Sequence, residues 1–251
     1  RPAGQRVGQL RADIAARIGL PEITSVVVGG GDTQCALLGM GLVDAWAQGC
    51  VAGTTSPIQQ ITDEPIFDPH MRTWTNCQLV PGKYALESNA IATGLSYRWL
   101  REILGPKIDY ESMNTLAENA DPGSHGVFSF LGAEIMDMTR YRASWTGGFL
   151  FPVPPGNVQV ADFIRSLLES PAYAVRANVE QIESISGHEC IGLHVCGGQS
   201  ACSIGMQILS TVLQRPVHIH TQHCSALGAA MCAAVGVANK QTLGVAASEM
   251  A

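Results

Sequence analysis

A glycine-rich turn that ends in a single carboxylate carries the clearest chemical signal in this sequence. Residues 26–34 read Val-Val-Val-Gly-Gly-Gly-Asp-Thr-Gln, so a run of valines leads through three glycines to Asp32. The valines favour a buried strand, and the glycines let the backbone turn sharply and lie close to another molecule. A carboxylate fixed there could take a proton from a substrate hydroxyl beside bound phosphates. The same pattern also fits a structural turn in which Asp32 caps a helix over 33–43.

Two further glycine turns could bind phosphate groups. Gly53-Thr54-Thr55 interrupts a predicted strand, and Gly197-Gly198-Gln199-Ser200 lies between a predicted strand and a predicted helix. Backbone N–H groups and a hydroxyl can bind phosphate oxygens where no bulky side chain intervenes. Without such a ligand, each segment is an ordinary turn between regular elements.

A histidine-rich segment offers a different chemistry. Residues 218–224 read His-Ile-His-Thr-Gln-His-Cys, and alternate residues of a strand share one face, so these side chains could bind a metal ion or be ordinary surface and core histidines. His188-Glu189-Cys190 is a weaker version of the same pattern. Glu87 lies in a predicted hairpin, where we interpret it as structural, although it could also face a cleft.

Composition narrows the classes of function. The 251 residues are 46% hydrophobic and 14% charged with 27 glycines, which is typical of an α/β protein with a sizeable core. The net charge is −6 and no basic stripe occurs, so nucleic acid and anionic membranes are poor candidate partners. No apolar run reaches the roughly 18 residues of a membrane span. Eight scattered cysteines, without a Cys-x-x-Cys pair, indicate reduced core thiols in a cytoplasmic protein.

The glycine turns described above lie between alternating predicted strands and helices. Hydrophobic periodicity predicts helices over 8–19, 33–43, 92–104, 110–119, 160–184 and 226–234, with a further helix that ends at Leu213. Strands are predicted over 23–28, 50–61, 190–196 and 216–220, with a hairpin over 73–89. Repeated strand–turn–helix units of this kind indicate mixed α/β layers.

In their order, these motifs resemble the carboxyl-terminal half of the FGGY family of carbohydrate kinases, which includes glycerol kinase, xylulokinase and the autoinducer-2 kinases. The matching segments are residues 29–34, 53–55, 93–101, 197–200 and 226–230. The likeness covers almost the whole chain. Autoinducer-2 kinases are the most similar members, through residues 68–72, 81–83, 86–88 and 122–126.

The resemblance implies an α/β fold of the actin-like ATPase type, built from ribonuclease-H-like domains around a cleft. Residues 1–45 are then expected to be the tail end of the amino-terminal kinase domain, including the catalytic Asp. Residues 46–251 are expected to be the carboxyl-terminal nucleotide-binding domain, truncated before its natural end. The chain is accordingly expected to be a fragment that lacks its amino-terminal kinase domain and is inactive alone. Apolar surface left exposed could drive self-association, for example as a homodimer.

The activity implied by the resemblance is ATP-dependent phosphorylation of a hydroxyl on a sugar, a polyol or a sugar-like small molecule, such as a pentulose or an autoinducer-2-like compound. Asp32 is then the general base. The ATP-binding positions carried over from the family are Gly53, Thr54, Gly94, Arg98, Gly197, Gly198, Gln199 and Cys202. Cys202 stands where glycerol kinases carry an asparagine. Mg²⁺ is implied as the companion of ATP, but no protein metal site is implied, since residues 218–224 match an ordinary strand and loop.

Other functions explain the motifs less completely. A non-catalytic actin-like nucleotide-binding domain is the alternative, although such a protein has no need of a base at Asp32. A nicotinamide-dependent dehydrogenase needs Gly-x-Gly-x-x-Gly spacing, which residues 29–34 lack. One departure from the family lies at residues 131–141, where many members carry Gly-Glu-Arg followed by Pro-x-x-Asp.

Overall fold

The computed structural model describes residues 1–140, 147–220 and 223–251. Its strands are β1 (Arg6–Gln9), β2 (Ser25–Val27), β3 (Gln48–Val51), β4 (Pro57–Thr62), β5 (Trp74–Cys77), β6 (Tyr84–Asn89), β7 (Phe128–Phe130), β8 (Gly148–Leu150), β9 (Leu193–Cys196) and β10 (Val217–Ile219). Its α-helices are α1 (Ala12–Ile18), α2 (Asp32–Gly39), α3 (Thr93–Leu104), α4 (Tyr110–Asn119), α5 (Val160–Ser186), α6 (Ser203–Leu213), α7 (Cys224–Gly236) and α8 (Leu243–Met250).

A six-stranded mixed sheet organises the chain, in the order β10-β9-β3-β4-β6-β5. The β10–β9 and β9–β3 pairs are parallel, and the other neighbours are antiparallel. The strand predicted over 50–61 is therefore two strands, because the glycine turn after Val51 folds β4 back onto β3. The predicted hairpin is confirmed as β5 and β6.

Alternating side chains of the sheet serve two hydrophobic layers. On one face, Ile58 and Leu86 pack with residues of α5 and α6, including Val179 and Ile208. On the other face, Ile61 packs with residues of α2 and with Cys224 at the start of α7. Because helices cover both faces, the ends of the central strands are held in place, and the loops that follow them are positioned by a packed core.

Helices α2 and α7 are in direct backbone contact. A Cβ atom added to Gly39 would lie 2.0 Å from the Cys224 carbonyl oxygen, and one added to Gly228 would lie 1.9 Å from the Cys35 carbonyl oxygen. No side chain fits at either position. The small residues of α7 thus pack it on another helix, whereas the sequence suggested tight packing on a sheet.

The amino-terminal segment departs from its prediction. Residues 6–9 form β1 and pair with β2, so the helix predicted over 8–19 is only α1. Valines 26–28 do not form a buried strand, since β2 pairs only with β1 outside the main sheet and Val26 is 37% exposed. Ile18, predicted on a buried face, is 57% exposed. Most of this segment therefore faces solvent, although Ala15 is buried.

Smaller differences concern helix ends and faces. Helix α2 ends at Gly39 rather than at residue 43, because Gly41 follows with a φ of +76° and breaks the helical path. In α3 the large buried side chains are Tyr97 and Leu100, while Leu95 and Trp99 are exposed.

The cysteines mostly match their predicted role. They form no disulfide, and six of the eight are buried, but Cys77 is exposed and Cys202 is half-buried. Among the described residues, no helix has both the length and the apolar character that crossing a bilayer requires.

Candidate functional site

Three motifs far apart in the sequence line one cleft of about 360 Å³. The turn after β3, the first turn of α3 and the turn after β9 meet there because β3 and β9 are neighbouring parallel strands whose carboxyl ends lie at the same sheet edge. Six of the predicted site residues line this cleft, together with Tyr97 and Tyr110, and these six are Gly53, Thr54, Gly94, Arg98, Gly198 and Gln199.

The Gln199 side chain ties the three motifs together. Its Nε2 atom donates a hydrogen bond to the carbonyl oxygen of Gly53 and another, of 2.9 Å, to Thr93 Oγ1. Its backbone N–H donates to the Ala52 carbonyl oxygen at 2.9 Å. Gln199, predicted as an ATP-binding position, lines the cleft, and its amide nitrogen bonds to the protein. Gln199 therefore builds the cleft wall.

Glycine is required at two positions by close backbone approach. Gly197 has a φ of +97°, and a Cβ atom there would lie 2.6 Å from the Ala52 carbonyl oxygen. At Gly94, a Cβ atom would lie 2.3 Å from the Gly53 carbonyl oxygen. Any larger residue would push the turns apart.

The cleft floor is open toward a ligand at two other glycines. A Cβ atom at Gly198 would meet no atom within 4 Å, and one at Gly53 would meet its nearest neighbour at 3.8 Å. Unlike Gly94 and Gly197, these two glycines are not packed against another part of the backbone, so the space beside them is open. At Gly198 phosphate oxygens can approach the main chain, whereas the Gly53 N–H already donates to the Thr55 carbonyl oxygen at 2.9 Å.

Arg98 places a positive charge at this cleft. Its side chain is 51% exposed, and the nearest carboxylate oxygen, of Glu102, is 3.9 Å away. An exposed contact of that length contributes little to stability. The guanidinium group can therefore turn toward an anionic ligand with little cost.

An adjoining cleft of about 500 Å³ shares Tyr110 and Gly198 with the first. Cys202 lies here, and its Sγ atom donates to Asn114 Oδ1 at 3.2 Å, while burial raises the pKa of its thiol. Sequence reasoning missed Asn114 and both tyrosines. The helix over 110–119 was predicted, but no motif in it marks which side chains face a site.

Asp32 lies at the start of α2 and does not line either cleft. Its side chain is exposed, and Oδ1 accepts a 2.8 Å hydrogen bond from the Thr33 N–H. At Gly30 in the turn before it, a Cβ atom would lie 2.1 Å from a Leu79 methyl carbon, so a larger residue would displace the Leu79 side chain. The loop thus presents a single carboxylate to solvent at a positive helix end.

A second carboxylate, Glu87 on β6, is electrostatically coupled to Asp32. Its Oε2 atom accepts hydrogen bonds from Gln59 Nε2 and, at 2.9 Å, from Asn76 Nδ2. Burial raises the pKa of Glu87, the Gln59 hydrogen bond opposes that rise, and the negative charge of Asp32 adds to it. Glu87 is therefore anchored within the sheet, as the structural interpretation expects, and also responds to Asp32.

The predicted histidine segment pairs with a neighbour on β9. His194 Nδ1 lies 2.8 Å from His220 Nε2, and the His194 ring centroid lies 4.7 Å from that of His218. Burial and the two neighbouring imidazoles lower the pKa of His194 to about 4. Thr221 and Gln222 of this segment, and Tyr141 of the divergent stretch over 131–141, lie outside the described residues.

Metal-binding geometry is absent from the part of the chain that the structure describes, where no three His, Cys, Asp or Glu side chains are placed to share an ion. The weaker pattern at residues 188–190 is also dispersed. His188 stacks on Trp46 with ring centroids 3.3 Å apart, and Cys190 is buried.

Comparison with known proteins gives one consistent result. Residues 49–237 match the carboxyl-terminal domain of the FGGY family of carbohydrate kinases. YoaC of Bacillus subtilis (strain 168) is 32% identical over 91% of this chain and 47% of its own length. An autoinducer-2 kinase of Salmonella paratyphi A is 31% identical over 94% of this chain and 47% of its own length. The chain thus spans about half the length of the curated relatives it matches.

Solved structures agree with this match. A xylulose kinase from Rhodospirillum rubrum superposes with a TM-score of 0.74 and 25% identity, over 99% of this chain and 50% of the other. A Plasmodium falciparum glycerol kinase solved with ADP gives a TM-score of 0.81 at 19% identity, over 100% of this chain and 49% of the other, which shows likeness of fold alone.

Proposed function

Since this chain belongs to the FGGY family of carbohydrate kinases, we propose that it is the nucleotide-binding half of an ATP-dependent sugar kinase and also carries that enzyme's general base. The predicted α/β fold of the actin-like ATPase type is confirmed by the superposed xylulose and glycerol kinases. The observation that carries the proposal is the convergence of three glycine motifs and Arg98 on one cleft.

The cleft fits the triphosphate end of ATP. The open backbone at Gly198, the hydroxyl of Thr54 and the guanidinium of Arg98 are the group types that bind phosphate oxygens. Gly94 and Gly197 allow the turns to approach one another, and Gln199 holds them in register. These residues bind and orient the phosphates. When bound, ATP supplies the phosphoryl group and a good leaving group.

Asp32 is proposed to accept the proton of the attacking hydroxyl. It is exposed at the start of α2, so an acceptor molecule can reach its carboxylate. Its Oδ1 atom is oriented by the Thr33 N–H, which leaves Oδ2 to receive the proton. A well-placed base of this kind typically contributes about 10²–10⁴-fold to the rate.

Mg²⁺ is proposed to accompany ATP. Protein-bound Mg²⁺ commonly keeps several waters and takes one or two carboxylates together with substrate phosphates. Nucleotide phosphates and the remainder of the enzyme would supply the other oxygen ligands.

The proposed domain boundary follows from these roles. Residues 1–45 would be the tail end of the amino-terminal kinase domain, and residues 46–251 the nucleotide domain, truncated before its natural end. The exposed Ile18 and Val26 support this boundary, because a domain surface that contacts a partner domain is typically apolar. The acceptor is proposed to be a sugar, polyol or sugar-like molecule, of the pentulose or autoinducer-2 type, and it would be held mainly by the absent half. The proposed location is the cytoplasm.

The decisive experiment compares Asp32→Asn with wild type in the full gene product that contains this chain. ATP consumption is measured with glycerol, pentuloses, polyols and the autoinducer-2 precursor. We expect turnover with one acceptor, and a loss of at least about a hundredfold in kcat for the variant. Unchanged kcat would remove Asp32 from its role. Nucleotide binding without turnover on any acceptor would favour the non-catalytic binding domain instead. The isolated 251-residue chain is expected to bind ADP and to show no turnover.

A further inference from the structure

The adjoining cleft contains one side chain whose orientation is fixed by two others. Asn114 lies on α4, and its Oδ1 atom accepts a 2.9 Å hydrogen bond from the Tyr97 hydroxyl and a 3.2 Å hydrogen bond from Cys202 Sγ. A carboxamide oxygen has two lone pairs, so both of its acceptor positions are occupied. Rotating the amide by 180° would exchange these bonds for ones accepted by the Tyr97 oxygen and by the Cys202 sulfur, which is only a weak acceptor. Both neighbours therefore favour the orientation in which Nδ2 remains available.

The Nδ2 group of Asn114 is left available as a donor. Within residues 1–140, 147–220 and 223–251, it donates no hydrogen bond to another protein group, and Asn114 lines the adjoining cleft. A donor fixed in this way, at the wall of an open cleft, is suited to bind an acceptor atom of a ligand. Because the donor is already oriented, ligand binding costs little further side-chain entropy.

The charged side chains along the two clefts favour one orientation of a bound ligand. Arg98 lines the first cleft, whereas the carboxylates of Glu111 and Glu118 line the adjoining one. Phosphates are attracted to the guanidinium group and repelled by the carboxylates. Because Tyr110 and Gly198 line both clefts, a nucleotide can run through them with its phosphates near Arg98 and its base beside Asn114.

We propose that Asn114 determines the base specificity of this chain, by donating a hydrogen bond from Nδ2 to N1 of adenine, and that Tyr97 and Cys202 are positioning residues for that donor. The inference rests on the proposed nucleotide-binding function. Adenine has an acceptor at N1 next to a donor amine at N6, which matches an amide N–H beside carboxylates. Hypoxanthine and guanine carry a hydrogen at N1 and so oppose the Asn114 donor.

The test measures binding of ADP and of inosine diphosphate to the 251-residue chain by isothermal titration calorimetry. In Asn114→Asp, a carboxylate can keep the Tyr97 and Cys202 hydrogen bonds but replaces the donor by an acceptor. We expect wild type to prefer ADP by about tenfold, and the variant to bind ADP at least about tenfold more weakly with its preference lost or reversed. Asn119→Asp is the matched control, since it adds the same charge to α4 while Asn119 Nδ2 bonds only to the Thr115 carbonyl oxygen. It should change affinity by less than about twofold.

A second pair of variants tests the positioning role. Cys202→Ser retains a donor to Asn114 Oδ1 and should keep the ADP preference, whereas Cys202→Ala should reduce that preference several-fold. Circular dichroism checks that each variant is folded. If wild type binds ADP but neither Asn114→Asp nor Cys202→Ala changes the ratio of the two affinities, the role of Asn114 is wrong and nucleotide binding stands. If wild type binds neither nucleotide, the proposed function itself fails, and the inference with it.

Discussion

The cleft and the Asp32 turn lie in the same chain but are built in opposite ways. The cleft consists of neutral turns joined by hydrogen bonds from one side chain, Gln199, to Gly53 and Thr93. Asp32 is an exposed charge whose carboxylate is oriented by its own neighbour, Thr33. Its negative charge adds to the rise that burial causes in the pKa of Glu87.

The chain therefore forms the cleft by itself, whereas it does not by itself form a complete site around Asp32. A cleft made of interlocked backbone turns is preorganised before any ligand arrives. An exposed carboxylate becomes a base only when another surface holds a hydroxyl against it. The proposed division of labour, with nucleotide binding in this chain and acceptor binding in the absent half, follows from that contrast.

The largest expected effect is on the turn after β9. Gly197→Ala combines a φ of +97° with a contact of 2.6 Å to the Ala52 carbonyl oxygen, so we expect the free energy of unfolding to fall by about 2–4 kcal/mol. Gly198→Ala is the matched control, because its added methyl group meets no atom within 4 Å, and a change of about 0.5 kcal/mol or less is expected. Urea denaturation measures both. Equal stability of the two variants would show that the turns are not interlocked.

A smaller effect is expected for the side chain that joins the turns. Gln199→Ala removes hydrogen bonds to Gly53 and Thr93 and should destabilise the chain by about 1–2 kcal/mol. Asp32→Asn changes only an exposed group and should alter stability by about 0.5 kcal/mol or less. The comparison would be overturned if the Asp32 variant proved the less stable of the two.

The smallest expected effect is on the pH dependence of the free energy of unfolding, through the neighbouring carboxylates Glu87 and Asp32. The folded-state pKa of Glu87 is raised above its ordinary value of 4.5, so the folded chain holds this proton to a higher pH than the unfolded chain does. Its contribution to the free energy of unfolding is therefore full below about pH 4.5 and is lost as pH rises through the folded-state pKa. Glu87→Gln should abolish this loss, and Asp32→Asn should reduce it by removing a repulsive charge.

Urea denaturation at a series of pH values measures that dependence. Gln199→Ala serves as the control, because it removes no charge and should leave the pH profile unchanged in shape. A wild-type profile that is flat above pH 4.5, relative to Glu87→Gln, would contradict the raised pKa of Glu87, and an Asp32→Asn profile identical to wild type would contradict the coupling of the two carboxylates.

The sequence predicted the cleft better than the segments around it. The segments that contain Gly53, Gly94 and Gly198 are visible in the sequence as local glycine patterns, although the close approach that requires glycine at Gly94 is to the distant Gly53 carbonyl oxygen. Their convergence was predicted only through the resemblance to a family, because which strands become neighbours depends on contacts across the whole chain. Glycine spacing alone could not place β9 beside β3.

Other features depend on non-local partners and were missed for that reason. Residues 8 and 9 belong to the helix predicted over 8–19, but pairing with β2 makes them part of a strand. Trp99 lies on the apolar face expected to be buried, yet the packed side of α3 is set by Tyr97 and Leu100. Asn114 carries no motif, and only the meeting of α3, α4 and the turn after β9 gives it two donors.

The crossing of α2 and α7 has a mechanical consequence. Each helix presses a glycine onto a carbonyl group of the other, Gly39 onto Cys224 and Gly228 onto Cys35, with no side chain between them to yield. Neither helix can slide or roll without displacing its neighbour. Asp32 is the first residue of α2, so the contact with α7 restricts the movement of its carboxylate. A movement that brought Asp32 closer to the cleft would have to displace α2 and α7 together.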